Sequence, residues 1–128
     1  MSYYIEKIIE SSLSEAESRI REALSAEGFG IVMELNIQET LREKTGTDIG
    51  PYKILGACNP NFAKQAIAVE PQIGTMLPCN VTLRHLEDGK VEVASIDPVA
   101  SMQAVQNGDL AALASEVRDR LKRAVESI

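Results

Sequence analysis

Residues 80–96 read NVTLRHLEDGKVEVASI, and this segment carries the clearest information about the architecture of the chain. Apolar and polar residues alternate on both sides of Asp88-Gly89, a dipeptide typical of a β-hairpin turn. If these two residues form the whole turn, Asn80 lies opposite Asp97. The segment therefore predicts two antiparallel strands, with Asn80 and Asp97 as polar neighbours at the open end of the hairpin.

Outside the hairpin, strand patterns alternate with helix patterns. Strands are predicted at residues 3–9, 29–35, 52–57 and, as one long apolar strand, 75–86. Helices are predicted between them, and residues 110–128 repeat leucine, valine and isoleucine at helical spacing. The order β-α-β-α-β-α-β-β-α predicts an α+β fold, with a single mixed sheet, helices packed on it and a C-terminal amphipathic helix. At 128 residues we expect one domain, 1–128.

The only two cysteines lie in mirrored segments, each followed by asparagine and flanked by proline. These segments are Ala57-Cys58-Asn59-Pro60 and Leu77-Pro78-Cys79-Asn80. Packing alone gives little reason for cysteine, asparagine and proline to cluster twice. The repeat therefore predicts the position of a site without stating its chemistry.

The two cysteines have different predicted surroundings. Asn59 stands where a helix N-cap belongs, and Pro60 follows at the first helical position. Amides at a helix start stabilise anions, including a thiolate, which favours an accessible thiol at Cys58. The alternative is that Cys58 is a small buried residue that only fills space in the core. Cys79 shares the predicted core face of its strand with Val81, and the simplest interpretation is a small buried apolar residue.

Composition narrows the classes of partner. The net charge is -6, which disfavours nucleic acid and anionic membrane surfaces as partners. No segment is long and apolar enough to span a membrane, and residues 1–10 lack the apolar core of a signal peptide. We therefore expect a cytoplasmic protein whose two cysteines are free thiols.

Four segments resemble the domain-of-unknown-function 302 family across nearly the whole chain: residues 27–30 (EGFG), 52–60 (YKILGACNP), 71–81 (PQIGTMLPCNV) and 96–98 (IDP). The resemblance implies a compact α+β domain, commonly a homodimer, without an assigned reaction. It also implies that the signature positions are Cys58, Asn59, Pro60, Pro78, Cys79 and Asn80.

Three functional hypotheses follow. The first is a module that binds a small molecule, an anion or a soft metal, and its candidate ligand-binding residues are Cys58, Asn59, Pro60, Pro78, Cys79, Asn80 and Asp97. The second is a thiol-dependent redox enzyme that uses Cys58, although no histidine is placed to act as its base. The third is a structural or assembly module with buried cysteines. No cofactor is indicated, and two cysteines without C-x-x-C spacing do not make a zinc site on one chain.

Overall fold

The computed structural model describes residues 2–128, which form five strands, five α-helices and one 3-10 helix. In chain order they are β1 (Tyr4–Glu10), α1 (Leu13–Ala26), β2 (Gly30–Asn36), α2 (Ile37–Thr45), β3 (Tyr52–Cys58), α3 (Pro60–Val69), the 3-10 helix (Pro71–Met76), β4 (Cys79–His85), β5 (Lys90–Ile96), α4 (Pro98–Ser101) and α5 (Gly108–Ser127). The predicted α+β class, with one sheet, helices packed on it and a C-terminal helix, is confirmed.

The sheet has the strand order β1-β5-β4-β3-β2, and every pair of neighbours is antiparallel. We expected a mixed sheet, and this detail is wrong. The helices between the strands suggested that some neighbouring strands are parallel. However, no connection that contains a helix makes a crossover between neighbouring strands. α3 and the 3-10 helix leave the end of β3 and return at the adjacent start of β4. Only the connection that contains α1 crosses the sheet, and it joins the two edge strands, β1 and β2.

The β4–β5 hairpin has a longer turn than its sequence predicts. Leu86 donates its backbone N–H to the carbonyl of Lys90 at 2.8 Å, which leaves three residues in the loop. Val81 therefore faces Ser95, and Asn80 does not face Asp97. A slip of one residue reverses the face of every side chain, and the observed register turns the valines of β5 towards the core.

The core lies between one face of the sheet and the helices α1 and α5. The helices contribute Ala16, Ile20, Leu24, Val117, Leu121 and Val125, and the sheet contributes Leu55, Val81, Leu83, Val91 and Val93. Burial of one such aliphatic side chain contributes about 1.5–3 kcal/mol, so this layer is the main source of stability. The face of the sheet opposite α1 and α5 is not covered by these helices and forms a separate surface.

Two further details of the strands differ from expectation. Residues 71–76 form the 3-10 helix, so β4 begins at Cys79 rather than near residue 75, and it lies in the middle of the sheet. A bulge between Ile31 and Met33 breaks the alternation of β2. Ile31 therefore packs against the core, while Met33 is 57% exposed on the opposite face. Extra residues at bulges re-aim side chains in this way.

Asparagine begins three of the helices, because its side-chain oxygen accepts a free amide of the first turn. Asn36 caps α2, Asn59 caps α3 and Asn107 caps α5.

In the described part of the chain, no helix combines the length and apolar character needed to cross a bilayer.

Candidate functional site

The two Cys-Asn segments meet at one end of the sheet. Ala57, at the end of β3, pairs directly with Cys79, at the start of β4. Cys58 therefore directly follows Ala57, the residue that faces Cys79 on the neighbouring strand. The start of β2 lies at the same end, because Gly30 pairs with Cys58. Strand pairing thus brings together two motifs that are about twenty residues apart in the sequence.

A cavity of about 310 Å³ opens at this end of the sheet, and we call it the Cys-Asn cavity. The sheet and the turns next to it contribute Phe29, Val32, Ala57, Cys58, Asn59, Leu77, Pro78 and Cys79. α3 contributes Phe62, Ala63, Ala66 and Ile67, and the C-terminal part contributes Pro98, Met102, Leu110, Leu113, Ala114 and Val117. No charged side chain belongs to this lining.

Asn59 holds the corner of the cavity where three segments meet. Its Oδ1 accepts the backbone N–H of Phe62 at 3.5 Å, which caps α3. Its Nδ2 lies so close to the α1–β2 turn that a Cβ on Gly28 would approach it to 2.9 Å. The residue is thus a helix cap and also a packing partner for the Gly28-Phe29 turn.

The two thiols differ in environment. Cys79 is buried, whereas Cys58 is half-buried, and neither forms a disulfide. Burial raises the pKa of Cys79 to about 11, and electrostatic repulsion from Cys58 is the smaller cause. The Cys79 thiol is therefore protonated at neutral pH and acts as a weak donor or an apolar contact.

Arg120 of α5 supports the α3 wall from outside. Its guanidinium lies 5.4 Å from the centre of the Phe62 ring, and its Nη1 donates to the carbonyl of Glu27 at 3.2 Å. One side chain thus joins α5, α3 and the α1–β2 turn. Phe62 also lines the cavity, so this contact helps to fix the cavity's shape.

The family model for "Domain of unknown function DUF302" matches residues 5–128. The chain belongs to this family. It is also similar to a solved structure described as "uncharacterized conserved protein DUF302 from Bacillus stearothermophilus", with a TM-score of 0.90 and 25% sequence identity over 98% of each chain. No curated protein matches the chain. The resemblance predicted from the sequence is confirmed.

In this DUF302 chain, the structure brings only some of the predicted site residues together. Cys58, Asn59, Pro78 and Cys79 all line the cavity. Pro60 occupies the first turn of α3 and is exposed, outside the cavity lining.

The expected pair of Asn80 and Asp97 does not form. Asn80 alternates with Cys79 and lines a groove on the opposite face of the sheet. Asp97 accepts the backbone N–H of Val99 at 3.0 Å and caps α4. The pairing fails because the three-residue hairpin loop shifts β5 by one position relative to β4.

The sequence alone did not identify the apolar walls of the DUF302 cavity. Residues from α3, α4 and α5 reach it from distant parts of the chain, and their pattern is that of ordinary helix packing. The segment Ile96-Asp97-Pro98 was a usable signal, because Pro98 forms part of the lining. Among residues 2–128, no group of three or more His, Cys, Asp or Glu side chains is placed to hold a metal ion.

Proposed function

We propose that the chain binds a small, uncharged and mainly apolar molecule in the Cys-Asn cavity. The observation that carries this proposal is a cavity of about 310 Å³ bounded by both cysteines and Asn59. Ligand pockets are mostly apolar, with a few polar groups that orient the ligand, and their volumes begin at about 300 Å³. A cavity of about 150 Å³ already holds benzene, so this one, with about twice that volume, has room for two fused rings with a short substituent.

The lining favours an uncharged ligand over the anion that we also considered. It contains no charged side chain, and burial of an unpaired charge is strongly unfavourable. Asn59 is the only amide in the lining, and the sulfurs of Cys58, Cys79 and Met102 are the other side-chain heteroatoms. The Asn59 amide can orient a single carbonyl or hydroxyl group, while the sulfurs make soft contacts with apolar atoms.

Metal binding and thiol catalysis have less support. A site built on one chain would have only two thiol ligands, and structural zinc takes four. A catalytic thiol needs a general base within hydrogen-bonding distance, and the lining contains no His, Asp or Glu. Cys79 is in addition held protonated by its raised pKa.

A structural role is the second candidate, and a specific observation favours it. Cys79 is only 8% exposed and belongs to the main hydrophobic core, while Asn59 caps α3. In this case the cavity stays empty, and both motifs serve only to shape the turns.

The cytoplasmic location of the protein remains a prediction.

The binding proposal can be tested with the small uncharged fluorescent probe 1-naphthylamine and two variants of α3. Ala63→Leu adds volume to the cavity wall, and Ala68→Leu adds the same volume at an exposed position outside the lining. We expect micromolar binding by the wild type and Ala68→Leu, and at least about tenfold weaker binding by Ala63→Leu. Equal binding by all three proteins, or no binding by the wild type, would contradict the proposal.

Native mass spectrometry of untagged protein complements the probe. The expected result is an additional mass that is lost on denaturation, together with slow native labelling of Cys58 that becomes fast once the ligand is removed. If there is no additional mass, no probe binding, and both thiols remain unreactive until the protein unfolds, the structural role is favoured instead.

A further inference from the structure

All three tyrosines of the chain line one groove on the face of the sheet opposite α1 and α5. We call it the tyrosine groove, and its volume is about 430 Å³. It shares no lining residue with the Cys-Asn cavity. Aromatic residues make up only 4% of the chain, so tyrosine is concentrated at this groove rather than spread over the surface.

The strand register explains the floor and one wall of the groove. Thr82 pairs with Ala94, and these two small side chains form the floor. Two positions along the strands, Arg84 pairs with Glu92 on one side and with Tyr52 on the other. These three larger side chains stand in a row across three strands and form the first wall.

The second wall lies on the other side of the floor. Two positions beyond the Thr82–Ala94 pair are Asn80 and Ile96, and Ile96 pairs with Tyr4. The Tyr4 ring contacts the Tyr3 ring edge to face, with their centres 5.0 Å apart. The two walls are four residues apart along each strand, which corresponds to about 13 Å between their Cα atoms.

The groove presents hydrogen-bonding groups that the protein itself does not use. Within residues 2–128, the side chains of Asn80 and Thr82 and the three tyrosine hydroxyls have no hydrogen-bond partner in the chain. The Arg84 guanidinium donates to Glu92 at 3.1 and 3.3 Å through Nη2 and Nε, so its Nη1 remains free as a donor. Donors and acceptors therefore surround the small apolar part of the floor.

The charges of this face favour an uncharged ligand. Five charged side chains lie on the face: Glu6, Glu10, Arg84, Lys90 and Glu92. Only Arg84 and Glu92 line the groove, and they form an ion pair with each other. A cation would meet the guanidinium of this pair, and an anion would meet the overall charge of -6.

An uncharged ligand that is rich in hydroxyl groups matches these features best. The Arg84–Glu92 pair holds a donor fork beside a carboxylate, and together they can bind two neighbouring hydroxyl groups. A tyrosine offers an apolar ring face and a polar hydroxyl in one side chain. A purely apolar ligand would cover the amide and hydroxyl groups of the groove without replacing their water partners, which is unfavourable.

We propose that the tyrosine groove binds a short neutral saccharide. The C–H faces of its rings lie on the tyrosine rings, and its hydroxyl groups bind Asn80, Thr82 and the Arg84–Glu92 pair. A cavity of about 150 Å³ holds one six-membered ring, so a groove of about 430 Å³ has room for a disaccharide. This proposal does not depend on the function of the Cys-Asn cavity, because the two sites have separate linings.

Nitrogen–proton correlation NMR of the full chain tests the proposal. The protein is titrated with cellobiose, maltose and N,N′-diacetylchitobiose, and with sorbitol as an open-chain polyol that has no ring to stack. Ala94→Leu fills the floor of the groove, and Ala68→Leu makes the same change at an exposed position of α3 outside it. The spectrum itself verifies the fold, and Thr82→Leu, which also fills the floor, replaces Ala94→Leu if the latter does not fold.

We expect at least one disaccharide to bind with a Kd in the millimolar range and to shift the amides of β4 and β5 around Thr82 and Ala94. Ala94→Leu is expected to bind at least about tenfold more weakly, and Ala68→Leu to bind like the wild type. The proposal is overturned if no disaccharide shifts these amides, if Ala94→Leu binds as well as the wild type, or if sorbitol binds as well as the disaccharides. Shifts confined to the residues of the Cys-Asn cavity also overturn it.

Discussion

Gly28 lies against the side chain of Asn59, so closely that a Cβ on Gly28 would stand 2.9 Å from Asn59 Nδ2. Gly28 also has a φ of +86°, which an L-residue with a side chain rarely adopts. The turn after α1 and the start of α3 thus require each other, although about thirty residues separate them. This contact joins the EGFG and ACNP segments in the fold.

The first prediction concerns this contact. Gly28→Ala is expected to lower the free energy of unfolding by about 1–3 kcal/mol, because both the backbone strain and the clash with Asn59 act in the same direction. Gly30→Ala is the matched control, since its Cβ would meet nothing within 4 Å and its φ is not positive. Urea denaturation of both variants measures the difference. Equal stability of the two variants would contradict the contact.

A second prediction follows from the buried thiol of Cys79. Its pKa is about 11 in the folded chain and near 9.0 without burial, so the unfolded state releases the proton first as pH rises. The folded state therefore loses stability between pH 9 and 11, by up to about 2–3 kcal/mol, and is unaffected below pH 9. Other groups titrate in the same range, so the quantity to measure is the stability of the wild type relative to Cys79→Ala.

This relative stability is expected to fall as pH rises from 8 to 11, because the variant lacks the titrating thiol. Cys58→Ala serves as the control for loss of a thiol at the same end of the sheet. A wild-type advantage over Cys79→Ala that stays constant across this range would show that Cys79 is not held protonated by burial.

The third prediction concerns Gly56, which lies beneath the ring of Pro78. Gly56→Ala places a Cβ 2.7 Å from Pro78 Cγ, and we expect a loss of about 1–3 kcal/mol in stability. Gly74→Ala is the control, because a Cβ there meets nothing within 4 Å. Thermal unfolding compares the two variants. If Gly56→Ala is as stable as Gly74→Ala, the Pro78 ring is free to move, and the cavity wall at this corner is not fixed.

The sequence was sufficient to predict most of the strands and helices and to single out the two Cys-Asn segments, because these depend on local patterns. Helical spacing in α5, the cap at Asn59 and the mirrored Cys-Asn segments all depend on residues that are close in the sequence. The sequence was not sufficient for the hairpin register. Asp88-Gly89 suits a two-residue turn, but burial of the β5 valines favours the three-residue loop.

The error at Asn80 and Asp97 has the same origin. A pairing of these residues depends on the register alone, and a slip of one position separates them. The bulge at Val32 is a similar case, because the regular alternation of β2 gives no sign of it. The cavity walls could not be predicted either, since helix residues that pack on a core and those that line a cavity share the same periodicity.

The last prediction tests how the α3 wall is held. Arg120 lies over the ring of Phe62 and donates to the Glu27 carbonyl, and its side chain is only 34% exposed. Arg120→Ala is expected to cost about 1–2 kcal/mol, since both the cation–π contact and the charged hydrogen bond are lost. Lys122→Ala, at an exposed position of the same helix, is expected to stay within about 0.5 kcal/mol of the wild type.

A double-mutant cycle with Phe62→Leu isolates the contact between Arg120 and the ring. A coupling energy of at least about 0.5 kcal/mol is expected, because the two side chains touch directly and Phe62→Leu removes the ring face that attracts the guanidinium. Additive effects would mean that Arg120 acts without the ring, through the Glu27 carbonyl and its ion pair with Glu116 at 3.8 Å. In that case α5 holds the α1–β2 turn rather than α3, and the α3 wall depends on the Asn59 cap and the packing of Ala66 for its position.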